Sequence, residues 1–191
     1  MKILSVKVKE KPIVLDNAGK IYPAAITKKW NAVFGVSAIM KNDVNPISLK
    51  MAVEELAPRF PSMYVKLKKA FLWDCFIPAT DFDVVEKETD CPCRPMKMKD
   101  TNKPLFRVVY NKNKIRVEFS HCVTDGTGAF EYLKSLILAY CQNCDKKIVD
   151  KSKIKTSDED YKLSEINDDF SRIYEKGNRC SRKDDDSFQL D

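Results

Sequence analysis

The chain has 191 residues, 43% of them hydrophobic, with 34 basic against 28 acidic side chains and a net charge of +6. That apolar content supports a core and excludes wholesale disorder. The basic excess is modest and spread along the chain, without the dense stripe of a nucleic-acid binder, so no nucleic-acid partner is expected.

The N-terminal stretch MKILSVKVKEKPIVLD breaks its apolar residues with lysines every few positions. It lacks a signal-peptide core, and no apolar run in the chain reaches the roughly 18 residues of a spanning helix. A soluble, cytoplasmic protein with no membrane partner is expected. Seven cysteines, at 75, 91, 93, 122, 141, 144 and 180, are odd in number and irregularly spaced. In a reducing compartment they read as free thiols.

Taken in chain order, Ala32–Met40 (AVFGVSAIM) reads as a buried strand. Asn45-Pro46 opens a helix with Ile47, Leu49, Met51, Ala52, Val53 and Leu56 on its apolar side, and Pro58 and Pro61 end it. Tyr64–Lys68, Ala70–Ile77 and Phe82–Val85 follow as strands. Leu105–Tyr110 and Lys114–Ser120 form a hairpin across Asn111-Lys112-Asn113. Gly126–Cys144 is a long helix whose stripe is Ala129, Phe130, Leu133, Leu136, Ile137 and Tyr140. Trp30 and Trp73 read as core aromatics.

The composition shifts at Asp145. Residues 1–144 are read as one lobe, and residues 145–191 as a polar extension or inter-lobe linker. One helix is predicted there, around Asp158–Glu175, with Leu163, Ile166, Phe170 and Ile173 at helical spacing. The fold class is therefore α/β in the broad, α+β sense: a mixed sheet flanked by helices.

The chemistry concentrates where the second hairpin strand meets the long helix. Ile115, Val117 and Phe119 point one way, and Arg116, Glu118 and Ser120 the other. Continuing the period puts His121, the only histidine in the chain, on the apolar face at the strand's end. Partial desolvation there favours the neutral, proton-accepting imidazole that a general base needs. Asp125, at the turn into the helix, suits N-capping and the helix dipole. Gly126 and Gly128 permit tight turns and close ligand approach. The plainer reading is a packed strand-end histidine followed by an Asp-Gly turn.

The segment HCVTDGTG, between PLFRVVYNKNKIRVEFS and a long helix, resembles the HxxxDG signature of the chloramphenicol acetyltransferase-like superfamily. That group takes in condensation domains, plant-type acyltransferases and bacterial alcohol acetyltransferases. The upstream VFGVSAIMKNDVNPISLKMAVEELAPRFPSMYVKLKK is similar to its opening strand–helix unit. The likeness spans residues 30 to 144 and is nearest to alcohol acetyltransferase-like proteins.

The resemblance implies a lobe of the chloramphenicol acetyltransferase-like fold. It implies an acyltransferase, favoured as an O-acetyltransferase, moving an acyl group from acyl-CoA to a small alcohol or amine. His121 would be the general base, acyl-CoA a co-substrate, and no cofactor permanently bound. Asp125 would be structural, facing an arginine for which Arg59, Arg107 and Arg116 are candidates. Gly126 would leave space beside the acyl donor. Two-lobed members are much longer, with a tunnel between their lobes. A second lobe or another subunit is thus expected to complete the site, with this chain as the N-terminal half. The alternative is a non-catalytic binding or interaction module on the same fold, for which His121 would have little use.

Two weaker patterns remain. Cys91-Pro92-Cys93 and Cys141-Gln142-Asn143-Cys144 loosely match a four-thiolate zinc site, but the second pair ends a helix. Incidental thiols are the better reading and no metal is expected. Cys122 adjoins His121, yet strand alternation turns it to the other face, against a Cys–His nucleophilic pair.

Overall fold

The computed structural model describes residues 21–162 and 165, apart from 24, 28–29, 70–73, 99–100 and 147–149. The element order is β1 (Val33–Ile39), α1 (Pro46–Leu56), β2 (Val65–Lys69), β3 (Asp74–Pro78), β4 (Val85–Lys87), β5 (Phe106–Asn111), β6 (Lys114–Ser120) and α2 (Gly126–Asn143). Four strands make a sheet in the order β1-β6-β5-β4, and β2 and β3 form a separate antiparallel pair. β1 and β5 both run antiparallel to β6, whereas β4 is parallel to β5. The sheet is therefore mixed.

Register fixes what each face carries. Phe34, Phe119 and Phe106 stand abreast across β1, β6 and β5, as do Val36, Val117 and Val108. This row-by-row apolar face is covered by α1 and α2, whose Leu49, Ala52, Val53, Leu56, Ala129, Tyr132 and Leu136 are fully buried. Asn45 starts α1 by accepting the Ile47 and Ser48 N–H groups with its side chain, and Pro46 occupies the first turn without losing a bond.

At the centre lies an aromatic cluster in which Phe106, Phe119 and Phe60 surround Tyr132 at centroid distances of 5.3 to 5.5 Å. A tyrosine is tolerated there because its hydroxyl is satisfied. Tyr132 Oη lies 2.7 Å from Tyr64 Oη, which donates to the Val53 carbonyl. Burial pushes both phenols well above the usual tyrosine range, so both stay neutral.

Several expectations are corrected. Phe130 is 56% exposed rather than part of the α2 stripe. The stripe runs instead through Ala129, Tyr132, Leu133, Leu136, Ala139 and Tyr140. Ile47 and Met51 likewise face outward from α1, and Trp30 is 48% exposed, not a core aromatic; Trp73 lies outside the described residues. Ala70–Ile77 was expected as a strand, and β3 is described only from Asp74. β4 falls at Val85–Lys87, not Phe82–Val85.

On the second face of β6, Glu118 and Ser120 are buried. Glu118 accepts from Arg107 Nε at 2.6 Å and from the Cys93 N–H at 2.9 Å, so the segment around Cys93 covers this second face. Arg107 also donates to the Arg94 carbonyl, and Arg94 pairs with Glu86.

Beyond α2, Ile154 lines an apolar groove with Ala38, Leu133, Ile137, Leu138 and Cys141. The compact unit reaches Tyr161. Asp158–Lys162 is not helical, Glu165 N–H donates to Lys162 O in a single turn, and the other positions of the helix predicted around Asp158–Glu175, its apolar residues included, lie outside the described residues.

Candidate functional site

The hairpin β5–β6 delivers His121 to a defined place. Ser120 N–H donates to Leu105 O at 3.0 Å, and His121 N–H donates to Ala32 O at 2.8 Å, closing the ladder one residue past β6. Ala32 reaches that position with a φ of 49°, in the left-handed region that few non-glycine residues adopt. The side chain of Asn31 stabilises this kink by accepting the Val33 N–H and donating to the Cys93 carbonyl. Val123 N–H then bonds back to Ser120 O, and the chain turns into α2.

The imidazole of His121 is half-buried between aromatic rings. Tyr22 stacks on it at a centroid distance of 4.9 Å and an interplanar angle of 6°. Phe34 lies 4.5 Å away, tilted by 39°. Phe34 is the register partner of Phe119, so the alternation that placed His121 on the apolar face holds. Trp30 lies beyond Tyr22 in the same stack, 6.2 Å from it and 20° from parallel. Among the described residues, no group hydrogen-bonds either imidazole nitrogen. Among the described residues, the contacts of the ring are therefore these aromatic ones, with Tyr22 parallel to it and Phe34 tilted against it.

Asp125 is exposed and does a different job. Its backbone is extended, and its carboxylate accepts the Gly128 N–H at 2.8 Å as the N-cap of α2. That satisfies one orphan donor of the helix and places a negative charge at the positive end of its dipole. Two of the arginines considered as its partners are engaged elsewhere: Arg107 with Glu118, and Arg116 with Glu88 at 3.4 Å and Glu118 at 3.7 Å. Arg59 is buried, with its guanidinium 5.2 Å from the Phe60 ring centre.

The two motif glycines differ in kind. A Cβ at Gly126 would meet nothing within 4 Å among the described residues. A Cβ at Gly128 would lie 2.1 Å from Thr124 Oγ1, so a larger residue there must turn the Thr124 hydroxyl away from its place beside the capping turn.

Cys122 sits apart from His121, buried among Val65, Leu67, Phe76 and Leu105. Its Sγ lies 3.1 Å from Ser120 Oγ, and burial pushes the thiol up to about 11. A neutral, enclosed thiol is a poor nucleophile. Among the described residues, no group of three or more His, Cys, Asp or Glu side chains is placed to hold a metal. No described helix is long and apolar enough to cross a membrane. Sequence reasoning missed Tyr22 and Phe34. Phe34 was available from its place in an alternating strand, but nothing in the pattern around Tyr22 marks it.

No protein-family model and no curated protein matches the chain. Solved structures do. The starter condensation domain of rhizomide synthetase superposes with a TM-score of 0.58 at 12% identity, over 76% of this chain and 41% of that one. The epimerization domain from the third module of tyrocidine synthetase B gives 0.58 at 15%, over 73% and 36%. The X-domain from teicoplanin biosynthesis gives 0.54 at 11%, over 76% and 36%. At such identities the likeness is one of fold, and the names alone show that this fold carries more than one reaction. The chain thus shares the chloramphenicol acetyltransferase-like fold of condensation domains, and spans about two fifths of the length of those it matches.

Proposed function

We propose that this chain supplies the general base of an acyltransferase, and that His121 removes the proton from an acceptor hydroxyl or amine as it attacks an acyl thioester. The observation that carries the reading is the placement of His121 at the end of β6. Tyr22 and Phe34 pack against its ring, and among the described residues neither of its nitrogens is hydrogen-bonded.

The acceptor O–H or N–H donates to an imidazole nitrogen. As the acceptor oxygen or nitrogen bonds to the thioester carbonyl carbon, that proton passes to the ring. The carbon–sulfur bond then breaks, and the imidazolium returns the proton to the departing thiolate. Proton transfer by a positioned group of this kind contributes about 100- to 10,000-fold.

The donor is proposed to be acyl-CoA and the transferred group acetyl, as in the alcohol acetyltransferase-like proteins the motif resembles. A second lobe or another subunit would complete the donor site. The condensation domain that shares the fold supports acyl transfer more broadly.

The test is steady-state kinetics of His121→Ala in the complete protein. A fall in kcat of about 100- to 10,000-fold, with little change in acyl-donor affinity, is expected. Near-normal kcat with an intact fold would instead make the chain a binding module.

A further inference from the structure

We propose that Tyr22 is a positioning residue for His121, fixing the plane of the imidazole by stacking where a hydrogen-bonded carboxylate commonly does so. The proposal rests on the reading of His121 as the base.

A catalytic imidazole is usually oriented by a hydrogen bond from its second nitrogen to a carboxylate or carbonyl. Among the described residues neither nitrogen of His121 has such a partner. Asp125, the carboxylate of the motif, faces the Gly128 N–H of α2 and is exposed, and Glu118 accepts from Arg107 and the Cys93 N–H. Among the described residues, what orients the ring is packing.

The packing is specific. Tyr22 lies parallel to the imidazole within 6° at 4.9 Å, a face-to-face contact that resists tilting of the ring. Phe34 closes in at 39° and restrains rotation about the side chain's outer bond. Neither ring takes up the imidazole plane, where the lone pair that accepts a proton must point. A stack therefore holds the base without occupying its reactive edge.

Tyr22 is itself held. Its carbonyl accepts the Ile26 N–H at 3.0 Å, and its ring packs against the cluster of Val65, Leu67, Phe76, Leu105 and Cys122. The chain turns back at Thr27, whose N–H donates to Trp30 O at 2.8 Å and whose hydroxyl accepts the Trp30 N–H at 3.1 Å. This turn brings Trp30 onto the outer side of Tyr22. The segment preceding β1 thus acts as a clasp, with its grip on the base made by one phenol ring.

His121 is the only histidine in the sequence, so its imidazole protons give two unambiguous NMR signals. In the native protein these signals should lie upfield, in the shielding cone of the Tyr22 ring. Tyr22→Leu should move them toward solvent values and lower kcat by about 10- to 100-fold, the scale of loss from slight misplacement of a reacting group. The acyl-donor KM should change little. Tyr22→Phe keeps the ring and removes only the hydroxyl, so it should keep both the shielding and most of the kcat.

Unmoved histidine signals in a folded Tyr22→Leu protein would overturn the stack. Moved signals with native kcat would overturn the positioning role while leaving His121 as the base. Retained kcat in His121→Ala would overturn the reading beneath both. If Tyr22→Leu loses its fold, Tyr22→Phe and a Tyr22→Trp variant decide the matter by the same signals. Loss of kcat in Tyr22→Phe with shielding intact would show that the hydroxyl, not the stack, is what matters.

Discussion

At the scale of single residues, the motif separates into parts with different physical duties. His121 is the only member whose side chain has open chemistry. Asp125 organises the first turn of α2, and Gly128 makes room for Thr124 beneath it. This division yields a ranked set of outcomes for the cap. Asp125→Ala removes the acceptor of the Gly128 N–H and should cost about 1 kcal/mol of stability. Asp125→Asn keeps an acceptor oxygen and loses only the charge at the helix end, worth about 0.3–1 kcal/mol. Gly128→Ala should be worse than either, because its Cβ must displace the Thr124 hydroxyl that would stand 2.1 Å away. Thermal melts of the three variants, read beside Gly126→Ala as an unhindered control, check the order. An Asp125→Ala protein as stable as the parent would show that the cap is not structural.

At the scale of elements, the sequence was informative wherever one strand or helix carries its own period. Lys114–Ser120 was predicted with the boundaries that β6 has, and Gly126–Cys144 overran α2 by a single residue. Placing His121 beside the apolar face followed from the same alternation. What could not be read is burial caused by segments without a period. The alternation puts Glu118 and Ser120 on the face opposite Val117 and Phe119, and says nothing of what covers that face. They are covered by the irregular stretch around Cys93, whose backbone N–H bonds Glu118.

Tyr22 escaped notice for a related reason. It lies ninety-nine positions before His121 in the numbering, and only the kink at Ala32 brings them together. The buried pair Arg107–Glu118 is therefore the testable feature at this level, with side chains only 10% and 2% exposed. Glu118→Gln leaves Arg107 with only the looser Glu86 contact at 3.7 Å and should cost about 3 kcal/mol, the low end for a broken buried pair. Replacing both, as Arg107→Met with Glu118→Leu, should cost much less, since no buried charge remains. Urea denaturation of the two singles and the double completes the cycle. Singles that lose under 1 kcal/mol, as about the median surface pair does, would show that the pair is effectively solvated.

At the scale of the whole molecule, the proposed base lies where the described residues cover it on one side. The rings of Tyr22 and Phe34 close one flank of His121, but Asp125, Gly126 and Thr127, which lead into α2, are all exposed. Acyl transfer builds negative charge on the thioester oxygen, and donors aimed at that charge are worth most where water is excluded. An open base at a strand end can accept a proton there, but it cannot supply that enclosure. The solved structures sharing the fold are more than twice as long as the part this chain matches, which supports a second covering unit.

The expected outcome is that the chain by itself cleaves an acyl thioester hardly faster than free imidazole does. Joining it to the covering unit, as a second lobe or a partner subunit, should raise turnover by orders of magnitude. His121→Ala should abolish that gain and leave the assembly intact. Size-exclusion chromatography with light scattering reports the assembly, and release of free thiol reports the chemistry. A monomer of this chain turning over at full rate would show that the exposed side of His121 already suffices, and that the missing cover is not part of the mechanism.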